Sequence, residues 1–407
     1  MSRPLGNARL RAARQAAGYR SQQQLADALT ARGLAVSERQ VRRWESSSPQ
    51  LPTPDLRLAL VDLLDVTTIE DLGFPAPPGA GADAGRVLRT PPAAPLTVPN
   101  AVQPASAVSA FAAVTRAHRR LYWTVAPATL HPSVAAHAAL GVALLPATSG
   151  VIRRSLASAL AESWLLAGRI EFFDLTEHGR ARETWLRALQ AAGDADDALL
   201  GAAILAHTAF VPGWAGDRAG AAERMAMARA TARRGPASAE LLAWLDAVEA
   251  ECETRCGNTR TALNLIAHGE DVLAGANEEP SPDWLDWFSP VRLACFKGNV
   301  QLKAGHLPQA RETLLSVIAD LPADADKQRT VVLGDLAAVE AAAGQPEAAC
   351  DYAVRALDLL ETHWYATGMD RVREVRRELA PWGNEPCVRA LDDRLCGWTA
   401  MLSALTN

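Results

Sequence analysis

Residues 37–45 read Ser-Glu-Arg-Gln-Val-Arg-Arg-Trp-Glu. At helical spacing Val41 and Trp44 share one face, which leaves Glu38, Arg39, Arg42 and Arg43 on the other. Side chains of that kind can read base pairs. A guanidinium pairs in bidentate fashion with O6 and N7 of guanine, and a carboxylate accepts from the cytosine amino group. The alternative is a solvated charged face on a bundle that docks another protein. A second set lies far downstream: His207, Phe210, Trp214, Trp244, Arg292, Phe296 and Asn299. An Asn beside an Arg can hold a peptide backbone or a carboxylate, although a lone aromatic at helical spacing is usually core.

Catalytic chemistry has no such foothold. There is no G-x-x-x-x-G-K-[ST], no G-x-S-x-G, no H-E-x-x-H and no dinucleotide fingerprint after a strand. The eight His are scattered, and the acidic runs at Asp194–Asp197 and Asp324–Asp326 read as helix starts, because the other oxygen ligands of a cation loop are missing. Cys252, Cys256, Cys295, Cys350, Cys387 and Cys396 lack zinc-ligand spacing and read as reduced thiols within helices. The expectation is a non-enzyme with no catalytic residues, no metal and no cofactor, in the cytoplasm. Met1-Ser2-Arg3-Pro4 opens no secretory signal. Two uncharged runs, Leu121 to Ile152 and Ala198 to Gly216, are expected not to span a membrane. The first is interrupted by Pro127, His131, Pro132, His137 and Pro146, the second by His207 and Pro212.

The elements that must position these residues are helices. Of 407 residues 82 are Ala, 5% are aromatic, and Lys occurs only at Lys297, Lys303 and Lys327. Ala is the best helix former, so an all-α chain is expected. Residues 75–106 hold eight Pro and three Gly and read as a linker between a head (1–74) and a long body (107–407). Net charge separates them further: +7 over residues 1–43, −5 over 44–75 and −7 over the rest, against −5 for the whole. The head reads as five short helices. Residues 8–17 stop at Gly18. Ser21 caps 22–31, Ser37 caps 38–45, Thr53-Pro54 opens a Leu-striped fourth helix, and Thr67 with Glu70 has capping-box spacing for a fifth ended by Gly73.

Arg14-x-x-x-Gly18, Ser21-Gln22-x-x-Leu25-Ala26, Val36-Ser37, Val41-x-x-Trp44-Glu45 and the later Pro52 and Leu72-Gly73-Phe74 resemble the Cro/repressor-type (XRE-like) helix-turn-helix family, in the version common in actinobacterial regulators. The resemblance covers residues 7–74 and implies a lambda-repressor-like bundle. In that family Gln22 would bond a phosphate, and Glu38, Arg39 and Arg43 would face bases in the major groove, with Gln40 and Arg42 nearer the backbone and Ser37 at the helix start. Arg14 and Glu45 match an internal ion pair. The chain departs from the pattern at Tyr19-Arg20, one residue too many, and at Ala31–Ala35, a longer turn. Tyr19 reads either as a phosphate contact or as packing at a helix end.

In the body Gly-x-x-x-x-Ala recurs at Gly216/Ala221, Gly257/Ala262, Gly305/Ala310 and Gly344/Ala349, at intervals of 41, 48 and 39 residues. Residues 291–322 and Thr330 to Leu360 resemble the tetratricopeptide (TPR) repeat. That implies an α-solenoid, of about six or seven helix pairs here, whose first helices would present the set from His207 to Asn299 on or near a concave face. Trp284, Trp287 and Phe288, in a Pro-bounded insert, read as plugs in preference to an exposed patch. Head plus solenoid resembles the peptide-sensing regulators of the RRNPP type. The resemblance implies a homodimer on a palindromic operator in double-stranded DNA, with a peptide or small-molecule effector and no membrane partner. The alternative is a protein-interaction scaffold whose head is a docking module.

Overall fold

Every regular element is helical in the computed structural model, which describes residues 6–46, 52–64, 66, 68, 69, 71–74, 103–275 and 279–406. The chain divides into two compact units, Met1–Thr97 and Val98–Asn407. The division falls within the expected linker. Residues 75–102 of that linker lie outside the described residues, and its end is corrected: Pro104 takes the N-cap position and a helix starts at Ala105.

The head contains α1 (Ala8–Ala16), α2 (Gln22–Ala31), α3 (Glu38–Trp44) and α4 (Pro54–Leu63). Local signals set these bounds. Ser21 Oγ accepts from the Gln24 N–H while Gln24 Oε1 accepts from the Ser21 N–H, a reciprocal cap. Gly33, at φ +82°, closes α2 and lets the Leu34 N–H return to the Leu29 carbonyl. Thr30 Oγ1 donates to the Ala26 carbonyl at 2.9 Å and lies 3.3 Å from the Val36 carbonyl beyond the long turn. Leu10, Leu25, Leu29, Val41, Trp44, Leu60 and Leu72 form the core, each stabilising by roughly 1.5–3 kcal/mol on burial. The expected Thr67/Glu70 cap lies outside the described residues. One residue on, Thr68 and Asp71 exchange the reciprocal bonds.

The second unit stacks helices in pairs: α5 (Ala105–Leu121) with α6 (Pro127–Leu144), α7 (Gly150–Arg169) with α8 (His178–Ala195), α9 (Ala198–Trp214) with α10 (Arg218–Ala232), α11 (Ala239–Arg255) with α12 (Thr259–Ala274), α13 (Pro290–Lys303) with α14 (Leu307–Asp320), α15 (Asp326–Ala342) with α16 (Pro346–Leu360), and α17 (Ala366–Glu378) with α18 (Pro386–Thr406). The Gly-x-x-x-x-Ala spacing has a geometric cause. Gly216, Gly257, Gly305 and Gly344 sit at φ between +75° and +81°, each just after the first helix of a pair. Ala221, Ala262, Ala310 and Ala349 are buried where the second helix crosses it.

Pro127–Ala147 is the one helix among the described residues long and apolar enough to cross a membrane, with mean hydropathy 1.4 and 33% of the stretch buried within the fold. The expectation that proline and histidine interrupt the run Leu121 to Ile152 holds at Pro127, which opens α6, and at Pro146, in the short 3-10 turn that follows it, but not at Pro132 or the histidines. Pro127 takes the first helical position and Pro132 sits inside α6 without ending it. Both histidines turn inward: His131 Nε2 lies 2.8 Å from Glu171 Oε1, and His137 stacks on Phe111 and meets Thr115 Oγ1 at 3.0 Å.

Close packing is tightest between α7 and α8. Trp185 is fully buried and donates to the Leu165 carbonyl at 3.3 Å, and a Cβ at Gly168 would run into its indole. Gly168→Ala is therefore expected to destabilise the body by about 1–3 kcal/mol. Gly179→Ala, in open space on α8, is expected to be neutral or slightly stabilising. Urea unfolding midpoints separate the two, and equal midpoints would contradict the packing account.

Candidate functional site

The basic surface of the head is built on α3. Val41 and Trp44 anchor its inner side, and Arg39, Arg42 and Arg43 are exposed, with Glu38 and Gln40 half-buried. Ser37 holds the N-cap position, is exposed, and makes no side-chain capping bond. Arg42 is partly neutralised, because its Nη2 donates to Glu38 Oε1 at 2.9 Å. Among the described residues Arg39 and Arg43 have no carboxylate partner. The face thus presents two unpaired guanidinium groups and one paired.

Beneath it runs a buried chain of polar contacts. Arg14 Nε donates to Glu45 Oε1 at 2.7 Å, and Arg14 Nη1 to the Tyr19 carbonyl at 2.6 Å. The other oxygen of Glu45 accepts from Gln22 Nε2 at 2.7 Å. Burial alone would raise the Glu45 pKa. Bonds from Arg14 and Gln22, with the charges of Arg14 and Arg11, outweigh it and hold the carboxyl below its ordinary range. Gln22, expected at a phosphate, is bonded inward to Glu45, and Arg42 Nε approaches its Oε1 at 3.5 Å. The Tyr19 ring packs half-buried against the head core.

The downstream set converges in the second unit. His207, Phe210 and Trp214 from α9, Trp244 from α11, and Arg292, Phe296 and Asn299 from α13 all line one pocket. Its space, open solvent at the mouth included, is about 910 Å³. Sequence reasoning missed much of the remaining wall: Tyr122, Arg169, Trp287, Lys327, Tyr365 and Arg371. Two faint signals pointed there. Lys327 is one of three lysines in an Arg-rich chain, and Arg169 ends an otherwise apolar stretch of α7. Trp284, Trp287 and Phe288 are all buried, as plugs would be.

Charge in this pocket is mostly paired. Lys327 Nζ lies 2.9 Å from Asp174 Oδ1 and 3.9 Å from the centre of the Tyr122 ring. Arg371 lies 3.1 Å from Asp335, 3.5 Å from Glu374 and 3.7 Å from Glu251. Asn299, expected to hold a peptide backbone or carboxylate, donates to Asp335 Oδ1 at 3.0 Å. Burial, helped by the charge of Arg169, drives the His207 pKa down to about 3, so the ring is neutral at pH 7. Its Nδ1 faces the Ala203 carbonyl at 2.8 Å and must carry the proton. Behind Arg169 the chain makes a π-helical turn, Ile170–Asp174, closed by the Leu175 N–H on the Ile170 carbonyl. Thr367 Oγ1 and Trp364 Nε1 bond the Phe173 and Asp174 carbonyls from across the pocket. Arg169 and Phe173, one turn apart, both line the pocket, and Asp174 at the end of the turn meets Lys327.

Among the described residues no three His, Cys, Asp or Glu side chains converge to hold a metal ion. The chain matches no protein-family model and no curated protein sequence.

Proposed function

We propose that the protein is a sequence-specific DNA-binding transcription regulator, without enzymatic activity, acting in the cytoplasm. In this reading the head is a lambda-repressor-like helix-turn-helix bundle with α3 in the major groove. The body is a TPR-like α-solenoid that takes an effector and supports homodimerisation. The single observation that carries it is the pair of exposed guanidinium groups, Arg39 and Arg43, without a carboxylate partner among the described residues, on a helix anchored by Val41 and Trp44. Guanidinium groups held on one rigid face match guanine edges and phosphates. One head covers a half-site, so two copies on a palindrome would supply the rest. The left-handed glycines between paired helices support the solenoid assignment.

Selection from random duplexes, followed by titration over a range of salt, tests this. Specific binding is expected to survive moderate salt. Arg39→Ala and Arg43→Ala should each weaken it by about 5–150-fold, with relaxed preference at one base position. Weak binding abolished by salt and insensitive to both substitutions would instead make the head a protein-docking module.

A further inference from the structure

We propose that the body's pocket binds a small molecule bearing a carboxylate on a flat apolar frame, with Arg169 as the residue that holds the acid. This rests on the effector-binding role given to the body above and names the ligand class.

Arg169 is nine-tenths buried, and its Nε has no hydrogen-bond partner. Among the described residues no carboxylate lies within ion-pair distance of it. Asp174, one turn on, gives its Oδ1 to Lys327. The other deeply buried cations of the wall, Lys327 and Arg371, are met by carboxylates. A guanidinium taken out of water without a counter-charge is costly, so an anion from outside would be strongly favoured there.

The surroundings specify the rest of the ligand. The guanidinium carbon lies 4.4 Å from the centre of the Trp287 ring and 5.1 Å from that of Tyr122, a stack that fixes its plane. Trp287 in turn meets His207 and Trp244, at ring separations of 5.7 and 6.1 Å. His207 is uncharged, so the side of the wall formed by Trp287, Trp244 and His207 is aromatic and suits a flat apolar body. Lys327, over the same Tyr122 ring as Arg169, is already paired with Asp174. Half-buried Arg292 sits over Phe296 with no carboxylate partner among the described residues and adds positive potential to the same pocket.

The test compares benzoate, 2-naphthoate and indole-3-carboxylate with their amides on the full-length protein, by isothermal titration and by quenching of tryptophan emission. Acetyl-Gly-Gly-Phe, as free acid and as amide, forms a second arm. At least one of the small acids should bind saturably and at least tenfold more tightly than its amide. Arg169→Gln should erase that preference, with Arg169→Lys keeping part of it. Thermal melting checks that both variants fold, and the acid–amide comparison on the unaltered chain stands without them. Equal binding of acid and amide, an unchanged preference in Arg169→Gln, or no binding by any small acid would overturn the proposal. Binding confined to the peptide acid would overturn it too, in favour of a peptide C-terminus. The outcome is separable from that of the regulator reading, because acid binding does not require the head to bind DNA. Without ligand, Arg169→Gln should bind selected DNA as the unaltered protein does.

Discussion

Arg14→Ala is expected to cost the head about 3–5 kcal/mol, the penalty for leaving one member of a buried ion pair without its partner. Arg14 and Glu45 are each under a twentieth exposed. Removing the guanidinium strips Glu45 of its 2.7 Å partner and frees the Tyr19 carbonyl. A bundle of this size has only a few kcal/mol in hand, so the loss is comparable with its whole stability. Glu45→Gln keeps a hydrogen-bonding group in place and should be milder. The same pair makes the head acid-sensitive. Glu45 titrates below its ordinary value of 4.5 in the folded state. Its contribution is therefore complete above about pH 4.5 and is lost as pH falls through the lower, folded value. Circular dichroism melts of the full chain, with a fluorophore on the head, would follow both effects. An unchanged head transition in Arg14→Ala, or equal acid sensitivity in Glu45→Gln, would contradict the account.

Lys327→Met is expected to destabilise the body by a similar 3–5 kcal/mol. Asp174 and Lys327 are almost completely buried and meet at 2.9 Å. Burial pushes the Asp174 pKa up and the Lys327 pKa down, so the setting disfavours both charges and only their pairing sustains them. The double variant Lys327→Met/Asp174→Asn removes both charges and should recover most of the loss. A double-mutant cycle in urea would then show a coupling of several kcal/mol, more than neighbouring residues commonly show. A double variant as unstable as the sum of its singles would refute the pairing.

Much of the head was legible because its signals are local. Ser21, Gly18 and Thr53-Pro54 place helix ends within a residue or so of those found, since caps and left-handed turns depend on neighbours alone. Gln22 was not legible in this way. Its bond to Glu45 joins residues 23 apart, and no spacing rule reports it. In the body, the repeat register brought seven residues to one pocket because successive first helices occupy equivalent positions. Tyr122 and Tyr365 escaped it, as they lie just outside the ends of α5 and α17, where the repeat signal is faint. Arg169 escaped because the π turn beside it breaks the periodicity on which such reasoning depends. In α6 the proline rule misled at Pro132: the helix continues past it, although that residue has no N–H to give the Ala128 carbonyl.

The pocket wall draws on the first helix, or the residues beside it, of all seven pairs, from Tyr122 after α5 to Arg371 on α17. A change in tilt between any two neighbouring pairs therefore alters that wall. An occupant touching both ends of that wall would tie the first pair to the last and hold every tilt between them.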